Sequence, residues 1–170
     1  MASPSGSLVD RMRGAAALDP VTYNEVENDL QATGQAGIVV LIAAVSSAIG
    51  GAGFGGAGII VGLIGALLGW ALSSGVAYFV GTRLFGGTAT WGEMLRVMGF
   101  AQSPGVLYAL GIIPGVGWLI RFAIGIWIAV ATYIAIREGL DLEPGKAFLA
   151  ALVSTVIYWF VGGLLFTILF

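Results

Sequence analysis

Long uncharged stretches alternate with short charged ones along this chain. No Asp, Glu, Lys or Arg occurs between Gly34 and Val80, and Arg121 is the single charged residue between Gly105 and Ile136. A run of about 20 apolar residues forms a helix about 30 Å long, which matches the hydrocarbon core of a bilayer. The pattern therefore predicts helices that cross a membrane.

Five such segments are predicted, and they define an all-α integral membrane protein. Together they form a membrane domain over residues 30–170, with approximate limits 30–49, 59–80, 95–113, 118–136 and 147–170. The third contains Pro104, which removes a helical hydrogen bond. We interpret it as one kinked span with Arg96 snorkelling at its edge. Alternatively, a surface helix ends at Gln102 and only residues 104–113 enter the bilayer.

Two polar segments border these spans. Residues 1–29 form a cytoplasmic N-terminal arm, in which Ser7 caps an amphipathic helix that would lie in the headgroup plane, and Asp19-Pro20 begins a second helix. Between the second and third spans, the sequence Thr90-Trp91-Gly92-Glu93 has the spacing of a capping box and predicts an interfacial helix.

The second helix of the arm is acidic. Its carboxylates alternate along the chain at Glu25, Glu27 and Asp29. Alternating positions scatter around a helix and do not converge on one ion. We therefore interpret these acids as partners of the helix dipole and as a source of solubility, in preference to a metal site.

Small residues form a stripe along the second span. They recur at intervals of three or four residues and so share one helix face, as the series Gly58, Gly62, Gly65, Gly69 and Ser73 shows. Such a face lets another helix approach closely in a membrane. We predict a helix-packing face here, used within the chain in preference to dimerisation.

The basic residues predict the orientation of the chain. With five spans, six of the seven Lys and Arg residues share the side of the N-terminal arm. The positive-inside rule places that side in the cytoplasm and the C-terminus outside. The exception is Arg121, about one turn into the fourth span. It either snorkels to the outer headgroups or donates to carbonyls near Pro114 or to a lipid phosphate, so it is a candidate structural or lipid contact.

Composition narrows the chemistry further. Only 9% of the residues are charged, against about 25% in soluble domains, and the net charge is −2. The chain has no cysteine and no histidine, which removes thiolate nucleophiles and the commonest metal ligand. We therefore expect no catalytic residue, no metal, no cofactor and no nucleic-acid partner, whereas bound membrane lipids are expected.

A series of short motifs in a fixed order resembles the Yip1-domain family of multipass membrane proteins in its bacterial form. The resemblance implies five helical spans, a cytoplasmic N-terminus and no known catalytic activity. The motifs that carry it cover nearly the whole chain: Leu18-Asp19-Pro20-x-Thr22-Tyr23-x-Glu25-Val26-Glu27, Ala32-Thr33-Gly34-Gln35-Ala36, Gly81-Thr82-Arg83-Leu84-Phe85-Gly86-Gly87, the run from Thr90 to Gly105, Ile112-Ile113-Pro114-x-x-Gly117, Gly125-Ile126-Trp127 and Arg137-Glu138-x-Leu140-Asp141.

Three functions remain open from the sequence. The first is a non-enzymatic scaffold or adaptor of the cytoplasmic membrane, with a protein partner in the membrane or a second copy of the chain. The second is a small accessory subunit of a larger energy-converting or transport complex, where a pigment would be bound only if that complex is photosynthetic. The third is a transporter or channel, which intramembrane ionisable residues usually mark; here Arg121 alone qualifies.

Overall fold

The fold is all-α across the part of the chain that the computed structural model describes, residues 6–52 and 56–169. Two other helical segments join the α-helices: π-helical turns at Ala48–Ala52 and a 3-10 helix at Ser103–Ile112. The α-helices of this described part are α1 (Leu8–Ala16), α2 (Pro20–Asn28), α3 (Ala32–Ser47), α4 (Gly56–Leu84), α5 (Trp91–Phe100), α6 (Gly117–Gly139) and α7 (Pro144–Leu169).

The predicted helix starts are confirmed. The Ser7 hydroxyl accepts a hydrogen bond from the Asp10 amide at 3.2 Å, and Asp19 caps α2 through its carboxylate. Thr90 and Glu93 form both bonds of a capping box at the start of α5. These contacts satisfy amide groups that the first turn of a helix leaves without partners.

Four helices are long and apolar enough to cross a membrane, and they correspond to the first, second, fourth and fifth predicted spans. Their surfaces are apolar and open, with Leu68 65% and Phe160 73% exposed, as expected when lipid replaces water as the solvent. The segments are Ala32–Gly51, Ile59–Leu84, Gly117–Gly139 and Pro144–Leu164.

Residues 95–113 do not form the continuous kinked helix that was predicted, while their crossing of the membrane stays a prediction. Helix α5 ends at Phe100, and the chain continues as the 3-10 helix from Ser103 to Ile112. Pro104 explains the break, because it has no amide hydrogen to continue an α-helix. The Ser103 hydroxyl donates to the Phe100 carbonyl at 2.6 Å and so satisfies one group at the end of α5.

The broken segment nevertheless runs alongside α3, in the same direction. Gly99 lies against Ala36 and Gly105 lies against Ala43, while the Tyr108 carbonyl lies at Gly50. A side chain would prevent this approach: a Cβ atom added at Gly99 would lie 2.6 Å from the Ala36 Cβ, and one added at Gly105 would lie 2.7 Å from the Ala43 Cβ. The absence of side chains therefore determines how closely the two elements pack.

Five elements close into a ring. Helix α3 packs on α4, α4 on α7, α7 on α6, α6 on the 3-10 helix, and the 3-10 helix on α3. At one end of the ring lie α1, α2, the start of α5, the connections 85–90 and 140–143 and the helix turns next to these connections. We call this the arm end. The π-helical turns and the start of α6 lie at the opposite end, which we call the far end.

Helix α1 packs against protein at the arm end. Ala15 is fully buried, and Leu8 and Met12 contact the hydrophobic core there. The sequence predicted that this apolar face would contact lipid headgroups. The difference arises because α2 folds back on α1, as the bond from the Tyr23 hydroxyl to the Ala15 carbonyl shows.

The contact at Gly99 gives a matched pair of variants. We expect Gly99→Ala to lower the melting temperature in detergent, because overpacking against Ala36 costs about 1–3 kcal/mol. The control is Gly34→Ala in α3, where an added Cβ has no neighbour within 4 Å. Both changes raise helix propensity by roughly 0.5–1 kcal/mol, so their difference reports the clash. Equal melting temperatures for the two variants would contradict the packing described here.

Candidate functional site

A buried guanidinium joins the arm to the membrane helices. The Arg11 side chain is 2% exposed, although it lies on the first helix of the chain. It donates to the Glu25 carboxylate at 2.9 Å, to the Asp29 carboxylate at 2.6 Å and to the Gln35 amide oxygen at 2.9 Å. Because these acceptors come from α1's neighbours α2 and α3, one side chain fixes the position of three elements.

A second buried guanidinium does the same from α5. Arg96 is 4% exposed, and its Nε donates to the Glu27 carbonyl at 2.8 Å, with a further bond from Nη2 to the same oxygen. This carbonyl lies in the last turn of α2, where backbone acceptors have no helical partner and a positive charge is favoured. The prediction that Arg96 snorkels at the edge of a span is therefore wrong.

Two acids of the arm converge on one arginine, whereas the sequence indicated that the acids scatter around the helix. Glu25 on α2 and Asp29, the residue that follows α2, both bind Arg11. The hydrogen bond from Arg11 keeps the pKa of Asp29 below its ordinary value. Within the described ranges, no group of three or more acidic side chains is placed to hold a metal ion.

Glu27 is the acid with the most unusual environment. It is buried, at 8% exposure. Burial, with the nearby negative charges of Asp141, Glu93 and Glu138, raises its pKa to about 7, although Arg96 acts in the opposite direction. This carboxyl therefore changes its charge near neutral pH, at the junction of α2, α5 and the connection after α6.

A cavity of about 730 Å³ lies inside the ring. All five ring elements contribute to its wall, for example Ala43 on α3, Gly69 on α4, Tyr108 on the 3-10 helix, Ile128 on α6 and Ser154 on α7. Apolar side chains predominate, and a few hydroxyl groups interrupt them. The predicted stripe of small residues contributes to this wall and does not only contact other helices.

The stripe residues are placed as follows. Gly65, Gly69 and Ser73 line the cavity; a Cβ at Gly65 would have no neighbour within 4 Å, and one at Gly69 would lie 3.1 Å from the Tyr158 hydroxyl. Gly62 is partly exposed, and the surroundings of Gly58 lie outside the described residues. Close packing along the whole stripe stays a prediction.

Arg121 lies at the far end. It is partly buried, and its Nη1 donates to the Gly50 carbonyl at 3.4 Å. This acceptor belongs to the π-helical turns at Ala48–Ala52, where Gly51 has a φ of 113°, and not to the turn around Pro114. Arg121 therefore joins α6 to the end of α3, while its contact with lipid stays a prediction.

Sequence reasoning missed the tryptophans that join elements. The Trp70 indole donates to the Leu95 carbonyl at 2.9 Å, and the Trp127 indole donates to the Ala16 carbonyl at 2.8 Å. The available signal was the indole N–H itself, because a donor within an uncharged span needs an acceptor from another part of the protein. The sequence contains no sign of which carbonyl that is.

Several long apolar helices around a common interior define a multi-pass α-helical membrane protein. The Yip1 domain family matches the chain over residues 22–168. The chain belongs to this family, which confirms the resemblance in its motifs. Comparison with curated proteins and with solved structures gives no match.

The environment of Glu27 predicts a pH-dependent stability. Its ordinary pKa of 4.5 applies to the unfolded chain, and its pKa in the folded protein is about 7. The stabilising effect of the neutral carboxyl is complete below pH 4.5 and is lost as the pH rises to about 7. We therefore expect Glu27→Gln to melt at a higher temperature than the wild type at about pH 8. The corresponding gain in the free energy of unfolding is on the order of 1–3 kcal/mol.

The advantage of Glu27→Gln should disappear towards about pH 4.5, where the native carboxyl is protonated in both states. Melting curves in detergent across this range measure it. Glu143→Gln, at an exposed acid of the arm end, is the control and should not share the higher melting temperature at about pH 8. A lower melting temperature for Glu27→Gln than for the wild type at about pH 8 would refute the assignment.

Proposed function

We propose that this Yip1-family protein is a non-enzymatic scaffold or adaptor of the cytoplasmic membrane, and that the arm end is the face that binds protein partners. One observation carries the proposal: two buried arginines, Arg11 and Arg96, hold the arm in a fixed arrangement on the membrane helices. A preorganised surface loses little conformational freedom when it binds, which favours recognition.

The charge of the arm end supports the same proposal. All nine acids and six of the seven basic residues of the chain belong to it, so its formal charge is −3. Asp10, Asp141 and Glu143 are exposed there, while Arg11 and Arg96 are buried. Because complementary charge steers association, a partner with a basic segment fits this face.

We propose that the arm end is cytoplasmic and that residues 91–112 form a fifth crossing. The basic residues support the orientation through the positive-inside rule. The crossing is supported by the path of this segment along α3 from Ala36 to Gly50. Ten α-helical and ten 3-10 residues extend to about 35 Å, enough for a bilayer core.

Single-cysteine labelling tests this topology, since the chain has no cysteine of its own. Thr88→Cys and Val116→Cys lie on exposed positions on either side of the proposed crossing, and Glu143→Cys marks the arm end. In intact cells, an impermeant maleimide should label position 116 and should reach positions 88 and 143 only after permeabilisation. Equal labelling of 88 and 116 would mean that residues 91–112 do not cross.

The alternative is an accessory subunit, and the exposed aromatic side chains favour it. Trp118, Trp159 and Phe160 are 72–73% exposed on the outer surface of α6 and α7. Aromatic residues are enriched in the centres of protein interfaces. If the protein is an accessory subunit, its contact surface is the outer surface of α6 and α7 and not the arm end.

Photo-crosslinking in cells separates the two functions. A photoreactive residue at Val21, which is 74% exposed on α2, should give a discrete crosslinked protein if the arm end binds partners. The yield of that product should fall at least fivefold in Arg11→Met, because this change releases the arm. It should be unchanged in Arg13→Met, which replaces a neighbouring exposed arginine.

The accessory-subunit function predicts another result. A photoreactive residue at Phe160 would then give stoichiometric products with integral membrane proteins, whereas Val21 would give none. Crosslinking from Val21 that is insensitive to Arg11→Met would show that the arrangement of the arm does not matter for binding, and would overturn the scaffold proposal in this form.

A further inference from the structure

We propose that the central cavity binds one neutral lipid, a molecule with a large apolar body, no charged headgroup and an uncharged oxygen that bonds to Ser154. The volume of the cavity, about 730 Å³, lies within the range of about 300–1,000 Å³ in which proteins bind small organic molecules. Such sites are mostly apolar and contain a few polar groups that fix the orientation of the ligand.

The wall of the cavity favours an uncharged occupant. Among the described residues that line it, none is Asp, Glu, Lys or Arg. A charged phosphate or ammonium group placed there would lose its hydration without gaining a counterion, which is expensive at membrane depth. Phospholipid headgroups are thereby disfavoured, whereas an apolar chain or ring gains contact with the wall.

Ser154 provides the polar contact. It is 5% exposed, and its hydroxyl has no hydrogen-bond partner in the described part of the chain. A serine or threonine within a helix usually donates to a carbonyl one turn earlier. Thr155 does so to Ala151 at 2.8 Å, but Ser154 does not. A buried hydroxyl without a partner costs free energy, and a ligand oxygen in the cavity would recover it.

The depth of Ser154 narrows the class of ligand. It lies ten residues after Pro144, the first residue of α7 at the arm end. Ten helical residues extend about 15 Å, which is half of a hydrocarbon core of about 30 Å. A lipid with a charged headgroup is anchored at the interface, so its polar atoms do not reach this depth. A diacylglycerol hydroxyl or a quinone carbonyl has no such anchor.

The bilayer itself gives access to the cavity. Leu152 and Trp159 line it and are also 54% and 73% exposed, so the cavity reaches the outer surface along α7. A neutral lipid can therefore enter sideways from the hydrocarbon without passing through water. This binding site is separate from the arm end and does not depend on the partner proposed there.

The test uses the whole chain in detergent, one probe and two competitors. Decylubiquinone, which carries carbonyl oxygens, is titrated while the tryptophan fluorescence is recorded, because Trp70 and Trp159 lie in the cavity wall. Dioleoylglycerol, an uncharged lipid with one hydroxyl group and two ester carbonyls, is added as a competitor. Palmitoyl-oleoyl-phosphatidylglycerol, which has a charged headgroup, is the competitor that should have no effect.

Three variants distinguish cavity binding from partition into the micelle. Gly65→Leu places a side chain in the cavity, where a Cβ has no neighbour within 4 Å, and should weaken binding at least tenfold. Gly162→Leu adds the same side chain to α7 where a Cβ has no neighbour and where it does not line the cavity. It should bind as the wild type does. Ser154→Ala should weaken binding about five- to tenfold, the loss of one hydrogen bond.

The melting temperature of Ser154→Ala, measured without probe, shows whether weaker binding comes from a loss of stability. It should equal or exceed that of the wild type, because the change removes an unpartnered buried hydroxyl. Displacement of the quinone by dioleoylglycerol supports a site for neutral lipids of either kind, and failure to displace it restricts the site to quinone-like molecules. Equal quenching in all variants means partition into the micelle only and overturns the proposal, as does equally effective competition by phosphatidylglycerol.

Discussion

Within hydrocarbon, every backbone N–H and C=O group has to find its partner inside the protein. Regular helices satisfy this requirement by themselves, so four long apolar helices follow directly from the sequence. Where a helix ends or becomes irregular, a side chain provides a hydrogen-bond partner for the backbone. The Ser103 hydroxyl serves the end of α5, and the Arg121 guanidinium serves the π-helical turns after α3. Both donors thus satisfy backbone carbonyls at the irregular elements of the ring.

The sequence predicted the local features well. Uncharged runs located the four long helices, and the caps at Ser7, Asp19 and Thr90 have the predicted partners. The long-range contacts could not be predicted in the same way. The acceptor of Arg96 lies 69 residues away along the chain, and hydrophobic periodicity contains no information about such a pair. An arginine beside an apolar run is equally compatible with snorkelling and with burial.

The role of a glycine also depends on long-range contacts that the sequence does not reveal. The stripe on α4 was identified from its spacing alone, yet an isolated helix does not reveal whether its small face meets another helix or an empty space. Gly65 borders the cavity, whereas Gly99, which belongs to no stripe, lies directly against Ala36. The element on the opposite side determines which role a glycine has, and that element comes from a distant part of the sequence.

The parallel arrangement of α3 and residues 91–112 has a consequence for how the protein is made. Two neighbouring elements that run in the same direction need a return helix between them, and α4 is that helix. When the ribosome has completed α3, the segment that will cover Ala36 and Ala43 has not yet been synthesised. The small-residue face of α3 therefore cannot gain this partner until α4 and the segment after it have been synthesised.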